Sequence, residues 1–349
     1  MKIYFKAMNG EKEVFLLLKS ENNHKSTCIL MGRIDDKEYS ALIDESLYTH
    51  IAFRTELDKS MYIPLTSLAN GFYITKNGEL DFYIHSTLKY GTVEYYNLPY
   101  RKEQKRIVVW LPEGYDEEKT YNVLYMLDAQ NLFDRRQSYF GEIWSADITA
   151  LSAIKKYNKR FIIVGIYNDE GEKRRFEDLT PAIGDVTEVL SGKYPTPHGD
   201  VFAEFFSEML VPFIKENYNI FDENNAIIGS SCGGLMAFYL GLENLEHISF
   251  IGSFSPAFLV FDNETWLAYL EKFDFKSRKN LPFIYLYTGA NDELEKHICF
   301  FMAEMEKTLE KVHYNSDKIS SITDNEAIHN EVYWRYYLPC AIAKWAKTI

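Results

Sequence analysis

The sequence predicts an α/β fold: a mostly parallel central sheet covered by helices on both faces, preceded by a small all-β, sandwich-like N-terminal domain. Three observations carry this. From Arg106 onward the apolar runs show no polar alternation and are separated by helix-like stretches, as expected of strands buried on both faces. Before about residue 95 the runs are short and alternating, with polar and Gly/Asn turns between them at sandwich-like spacing. Residues 224–242, NNAIIGSSCGGLMAFYLGL, read as a short buried strand, a tight turn and an apolar helix.

The elements follow in order. Runs at 14–18, 28–31, 39–43, 50–53, 72–74 and 80–84 give an all-β domain over residues 1–95. The polar, tyrosine-rich stretch 88–105 reads as a connection into a second domain, 96–349. There, strands are expected at 107–111 (closed by Pro112), 122–127, 161–167, 226–228, 248–254, 283–287 and 317–323. Helices are expected at 142–157, 199–217, 263–272, 294–312 and 331–347. Within 199–217, Val201, Phe205, Met209 and Phe213 recur every fourth residue, which marks an amphipathic helix.

Size and composition bound the function. A chain of 349 residues accommodates one large domain of ~250 residues and a smaller one. A net charge of −13 argues against a general nucleic-acid or anionic-membrane binder but leaves room for a local basic pocket. The aromatic share of 16% suits strands and a lined pocket without naming a ligand. No apolar run follows Met1 and Lys2, so no signal peptide is expected. No stretch approaches the length of a membrane span. Cys28, Cys232, Cys299 and Cys340 form no C-x-x-C pair. They are expected to be reduced, in a cytoplasmic protein with no metal site.

The turn Gly229-Ser230-Ser231-Cys232-Gly233 is a G-x-S-x-G centred on Ser231. In a nucleophile elbow a sharp strand-to-helix turn lifts the serine hydroxyl above the sheet, and the following helix points its N-terminal N–H groups and positive dipole end at it. The alternative is a glycine-rich turn without chemistry; the strand before it and the helix after it favour the elbow. A serine hydroxyl needs an imidazole base, and the base an orienting acid, in the chain order Ser, acid, His.

The histidines after Ser231 are His247, His297, His313 and His329. His247 lies between the elbow helix and the next strand, and His297 and His313 fall within or at the end of one helix. His329 occupies a loop between the last strand and the last helix, where it can reach over the strand ends, so it is the expected base. The acid is expected after strand 283–287, at Asp292, with Glu293 as the rival. Asn291 and Asp292 also suit a plain helix-capping role. A tetrahedral intermediate needs two backbone donors. Cys232 is expected to supply one, and Ala129 or Gln130, after strand 122–127, the other.

The ordered set VLYMLDAQNLFD, GEIW, VGIYND, EDLTP, GSSCGGL, TGANDE and HNEVYWRYYLP resembles the esterase family of α/β-hydrolases over about residues 105–349. That family includes trilactone siderophore esterases, feruloyl and acetyl xylan esterases, S-formylglutathione hydrolase and mycolyltransferases. The resemblance implies Ser231 as nucleophile, Asp292 as acid and His329 as base. Ala129 stands where the family usually has glycine, and its methyl group is a potential obstruction at the oxyanion loop. Arg175 resembles a family arginine near the site; it either orients an acidic substrate group or pairs with Asp178. Trp144 joins it as a candidate substrate-binding residue. Some relatives carry an N-terminal sandwich resembling a carbohydrate-binding module, so residues 1–95 are read either as a ligand-binding or as a structural domain.

The expectation is therefore a serine hydrolase acting on a small-molecule carboxylic ester, such as a siderophore, aryl or sugar ester, through an acyl-enzyme. It needs no metal or organic cofactor and no nucleic-acid or membrane partner, and a homodimer through β-domain aromatics is a candidate assembly. The rivals are an acyltransferase with the same triad and a catalytically silent glycan-binding protein.

Overall fold

In the computed structural model, which describes residues 2–7, 11–20, 23–36, 38–56, 62–64, 72–76, 79–82, 90–134, 137–138, 141–168, 171–187 and 195–349, the chain divides into two units, Met1–Thr87 and Leu88–Ile349. The first unit is all strand apart from one short 3-10 turn among its described residues. One sheet takes β1 (Lys2–Lys6), β4 (Gly32–Arg33), β5 (Glu38–Leu42), β8 (Phe72–Lys76) and β9 (Glu79–Phe82) in the order β4-β5-β1-β8-β9. The other takes β2 (Val14–Ser20), β3 (Asn23–Leu30), β6 (His50–Thr55) and β7 (Ile63–Pro64) in the order β3-β2-β6-β7. The alternation read at 14–18 has its physical basis here: Val14, Leu16 and Leu18 are fully buried, and Leu16 pairs opposite Phe53, whose ring meets Phe5. Residues 83 and 84 of the expected 80–84 run lie outside the described residues.

The second unit is built on an eight-stranded sheet in the order β10-β11-β13-β12-β14-β15-β16-β17. These strands are β10 (Thr92–Tyr100), β11 (Glu103–Leu111), β12 (Asn122–Leu127), β13 (Phe161–Ile166), β14 (Asn225–Ser230), β15 (Ile248–Phe254), β16 (Phe283–Gly289) and β17 (Ile319–Asp324). From β13 to β17 all neighbours are parallel, while β11 runs antiparallel to both β10 and β13. The 88–105 stretch, read as a connection, carries β10 and the start of β11. An edge strand with one paired side keeps most of its side chains exposed, so its composition looks like a loop.

Helices cover both faces. The helical run from α3 (Gly199–Glu204) through a π turn at Phe205–Leu210 to α4 (Val211–Asn217) packs on one face, with α5 (Cys232–Glu243), α6 (Asn263–Leu270) and α7 (Glu293–Lys311). On the other lie α1 (Ala146–Tyr157) and α8 (Glu331–Ala346), where Trp345 meets Phe161 and Tyr337 meets Tyr287. The seven-residue α2 (Glu172–Asp178) was not expected, because EKRRFED carries a single apolar residue and shows no helical stripe. The consequence for function lies at the carboxyl ends of the parallel strands: β12, β14, β15, β16 and β17 all deliver their following loops to the same edge.

Candidate active site

β14 ends at Ser230, and Ser231 follows with φ 56° and ψ −123°, a conformation seldom adopted by residues with a side chain. It persists because both backbone groups are fixed. Ser231 N donates to the Phe254 carbonyl at 2.9 Å, and its carbonyl accepts from Leu235 N at 3.0 Å and Ala257 N at 3.1 Å. A Cβ on Gly229 would fall 2.3 Å from the Gly233 carbonyl oxygen, so the turn closes only with glycine there. Ser231 keeps partial exposure, and Cys232 opens the twelve-residue α5, placing the positive end of the helix dipole at the serine.

His329 lies in the loop between β17 and α8, with its side chain 19% exposed. Its Nδ1 sits 2.8 Å from Oε1 of Glu295. The carboxylate on the imidazole is thus Glu295, not the expected Asp292 or its rival Glu293. Glu295 is fully buried, and its Oε2 accepts from Thr288 Oγ1 at 2.6 Å and Gly289 N at 2.8 Å. Burial alone pushes this carboxyl up. The hydrogen bond and charge of His329, with hydroxyl bonds from Ser255 and Thr288, outweigh it and leave the group below the ordinary value.

Asp292 is the N-cap of α7. Its Oδ1 accepts from Glu295 N at 2.7 Å and its Oδ2 from the backbone N of His329 at 2.8 Å. It places both partners of the pair without touching the imidazole. Glu293 is exposed and pairs with Lys296. The signal for Glu295 was present: D-x-x-E at a helix start is a capping-box spacing, and one turn along the helix turns the glutamate back toward the strand end.

Ser255 ties the serine to the histidine. The segment 254–257 makes the backbone bonds to Ser231 described above. Within it, the Ser255 hydroxyl donates to Glu295 and accepts from Trp334 Nε1 at 2.9 Å. The Trp334 indole stands edge-on to the His329 ring at 5.0 Å. Trp144 stacks on Trp334 at 5.9 Å and is only 1% exposed. Trp144, the candidate substrate-binding residue, backs the indole that packs on the histidine. His247 is buried, bonded to Tyr125 at 3.1 Å, and His297 binds the Glu293 carbonyl, so neither joins this group.

The turn after β12 begins at Asp128, in the left-handed region at φ 56°, and continues as the 3-10 turn Ala129–Asn131. Its Ala129 methyl packs over Gly165, where an added Cβ would fall 2.9 Å from it. The Gln130 side chain is committed to the turn, accepting from Asn168 N at 3.2 Å and donating to Asp128 at 3.2 Å. Arg175 binds Asp128 through two bonds, at 2.7 and 2.6 Å. Its expected partner Asp178 is taken by Lys105 at 3.0 Å and Tyr100 at 2.8 Å. α2 therefore braces the turn that carries Ala129 and Gln130.

A sequence model of the family described as "Putative esterase" matches residues 100–344. The chain belongs to that family. Its fold is shared with an uncharacterised protein from Capnocytophaga ochracea (20% identity, TM-score 0.52), over 74% of this chain and 63% of that one. An IroE-like serine hydrolase from Shewanella oneidensis is similar at 22% identity and TM-score 0.54, over 73% of this chain and 80% of its own. The enterobactin esterase FES from Shigella flexneri matches at 13% identity and TM-score 0.55, over 99% of this chain and 92% of that one. Its fold is that of the α/β-hydrolases, and as a member of the esterase family it is a carboxylic ester hydrolase. No described helix is long and apolar enough to cross a membrane.

Proposed function

We propose that this esterase cleaves its ester through an acyl-enzyme on Ser231, with His329 as general base and Glu295 as the acid that orients it. The reading rests on one observation: the buried glutamate that holds the Nδ1 side of the imidazole also takes a hydrogen bond from Ser255, in the segment that fixes the elbow serine. With Nδ1 committed to Glu295, Nε2 is the nitrogen that takes the Ser231 proton as the hydroxyl attacks the carbonyl. Glu295 stays ionised and stabilises the imidazolium that forms. The backbone N–H of Cys232, with one from the 129–130 turn, receives the oxyanion. The imidazolium then protonates the departing alcohol, and water, deprotonated by His329, releases the acid. We place the substrate among siderophore, aryl and sugar esters. The neighbours' own names point that way, since one is an enterobactin esterase and another a ferulic acid esterase. The test is turnover of a p-nitrophenyl ester by Ser231→Ala: a loss of at least ~10³-fold in kcat is expected, and turnover equal to wild type overturns the assignment.

A further inference from the structure

The proposed mechanism leaves one buried carboxyl beside the site without a task. Glu331 is the first residue of α8, after the N-cap Asn330 and two residues beyond His329. It is 2% exposed. Its Oε1 accepts a hydrogen bond from Asn131 Nδ2 at 3.1 Å, across 200 positions of sequence. Asn131 closes the 3-10 turn that holds Ala129 and Gln130, and its own carbonyl accepts from Trp144 N at 2.8 Å. On the near side of the same turn, Asp128 is held by Arg175 and packs on the elbow helix at Gly233. The oxyanion turn is thus braced from α2 at its start and from α8 at its end.

We propose that Glu331 is a positioning residue that locks the oxyanion turn to the histidine loop, keeping the 129–130 donor and the His329 base in fixed relation. This rests on the triad reading above. Donors stabilise an oxyanion only when aimed at its position beforehand, so small displacements of the turn are felt in the transition state more than in the bound ester. The carboxyl's part in this lock is that of a hydrogen-bond acceptor from Asn131, which an amide oxygen also supplies. Burial raises it to about 7, the neighbouring Asp128 carboxylate adds to the rise, and a backbone bond, His329 and Arg175 work against it. A side chain of that kind is replaceable by an amide of the same shape but not by a methyl group.

The test compares Glu331→Ala, Glu331→Gln and Asn131→Ala in the full chain, with Ser231→Ala alongside, by kcat and KM on a p-nitrophenyl ester and by thermal melting. Glu331→Ala and Asn131→Ala are expected to lower kcat about 10- to 100-fold, less than loss of a whole oxyanion donor, with KM within about threefold. A variant combining Glu331→Ala with Asn131→Ala is expected to be no slower than the worse single one. Glu331→Gln is expected to regain at least about tenfold of the kcat lost in Glu331→Ala. If Glu331→Ala does not fold, Asn131→Ala and Glu331→Gln still decide. The inference is overturned if Asn131→Ala keeps wild-type kcat, or if Glu331→Gln is as slow as Glu331→Ala or Asn131→Ala while its melting temperature is normal. A Ser231→Ala variant that keeps its turnover overturns the triad reading instead, so the two failures are separable.

Discussion

Glu295 Oε1 lies 2.8 Å from His329 Nδ1, while Asp292, three residues earlier, reaches only the backbone of that histidine. One turn of α7 separates a residue that faces the imidazole from one that caps the helix. The two therefore separate experimentally. Glu295→Gln is expected to lower kcat by roughly 10³- to 10⁴-fold, as removal of the orienting carboxylate does in such triads. Asp292→Asn is expected to keep activity within about tenfold and to lose up to ~1 kcal/mol of stability, because an amide keeps one acceptor oxygen for the two N–H groups that Asp292 binds. Steady-state kinetics and urea unfolding on both variants check this.

Position after a strand explains why the sequence alone favoured Asp292. The loop TGANDE puts an aspartate directly after a strand, the place an acid is sought, and that placement outweighed the D-x-x-E spacing, which marks Asp292 as a cap and turns Glu295 inward. The turn at Ser231 was legible because its glycines and its flanking apolar strand and helix are dictated by backbone geometry, which local sequence encodes. The partner of Arg175 was not legible. Asp128 lies 47 residues away and Asp178 only three, and the nearer aspartate is taken by Lys105 from β11. Long-range pairings of this kind depend on sheet order, which a single sequence does not carry. Strand β10 was missed for a simpler reason, since an exposed edge has no apolar face to announce it.

Arg175 gives the second prediction. If it braces Asp128, then Arg175→Met leaves a buried carboxylate without its bidentate partner, at a cost of about 3–5 kcal/mol. Arg175→Lys is expected to recover only part of that, because an ammonium makes one of the two bonds. Chemical denaturation of the ligand-free protein reads this directly. A substrate-orienting arginine would leave that stability unchanged and alter KM.

Ser255 gives the third. Ser255→Ala removes a donor to Glu295 and leaves the indole N–H of Trp334 buried and unsatisfied. The expected loss is about 1–3 kcal/mol in unfolding free energy, together with a several-fold fall in kcat as His329 loses its packed wall. Near-ultraviolet circular dichroism of Trp334 and Trp144 in the folded variant is expected to change.

Two carboxyls of the site give opposite pH signatures. Glu295 is held below its ordinary value of 4.5, so it contributes stability that is complete above that value and is lost as pH falls through its folded pKa. The stability gap between wild type and Glu295→Gln is expected to close on acidification below that value. Glu331 is raised from 4.5 to about 7, so between these values the folded protein retains a proton the unfolded chain has released, and stability falls as pH rises. A rise of that size corresponds to about 3 kcal/mol. Relative to wild type, Glu331→Gln is expected to gain stability by up to that amount between pH 4.5 and 8, read by urea unfolding across the range.

Covalent labelling with a fluorophosphonate, followed by peptide mass spectrometry, addresses the serine–histidine–glutamate assignment most directly. A single adduct on Ser231 is expected, formed at the wild-type rate or within about tenfold of it in Asp292→Asn, and slowed by at least about 10³-fold in His329→Ala and Glu295→Gln. An adduct on another residue, or labelling of Ser231 that is insensitive to His329 and Glu295, would contradict it.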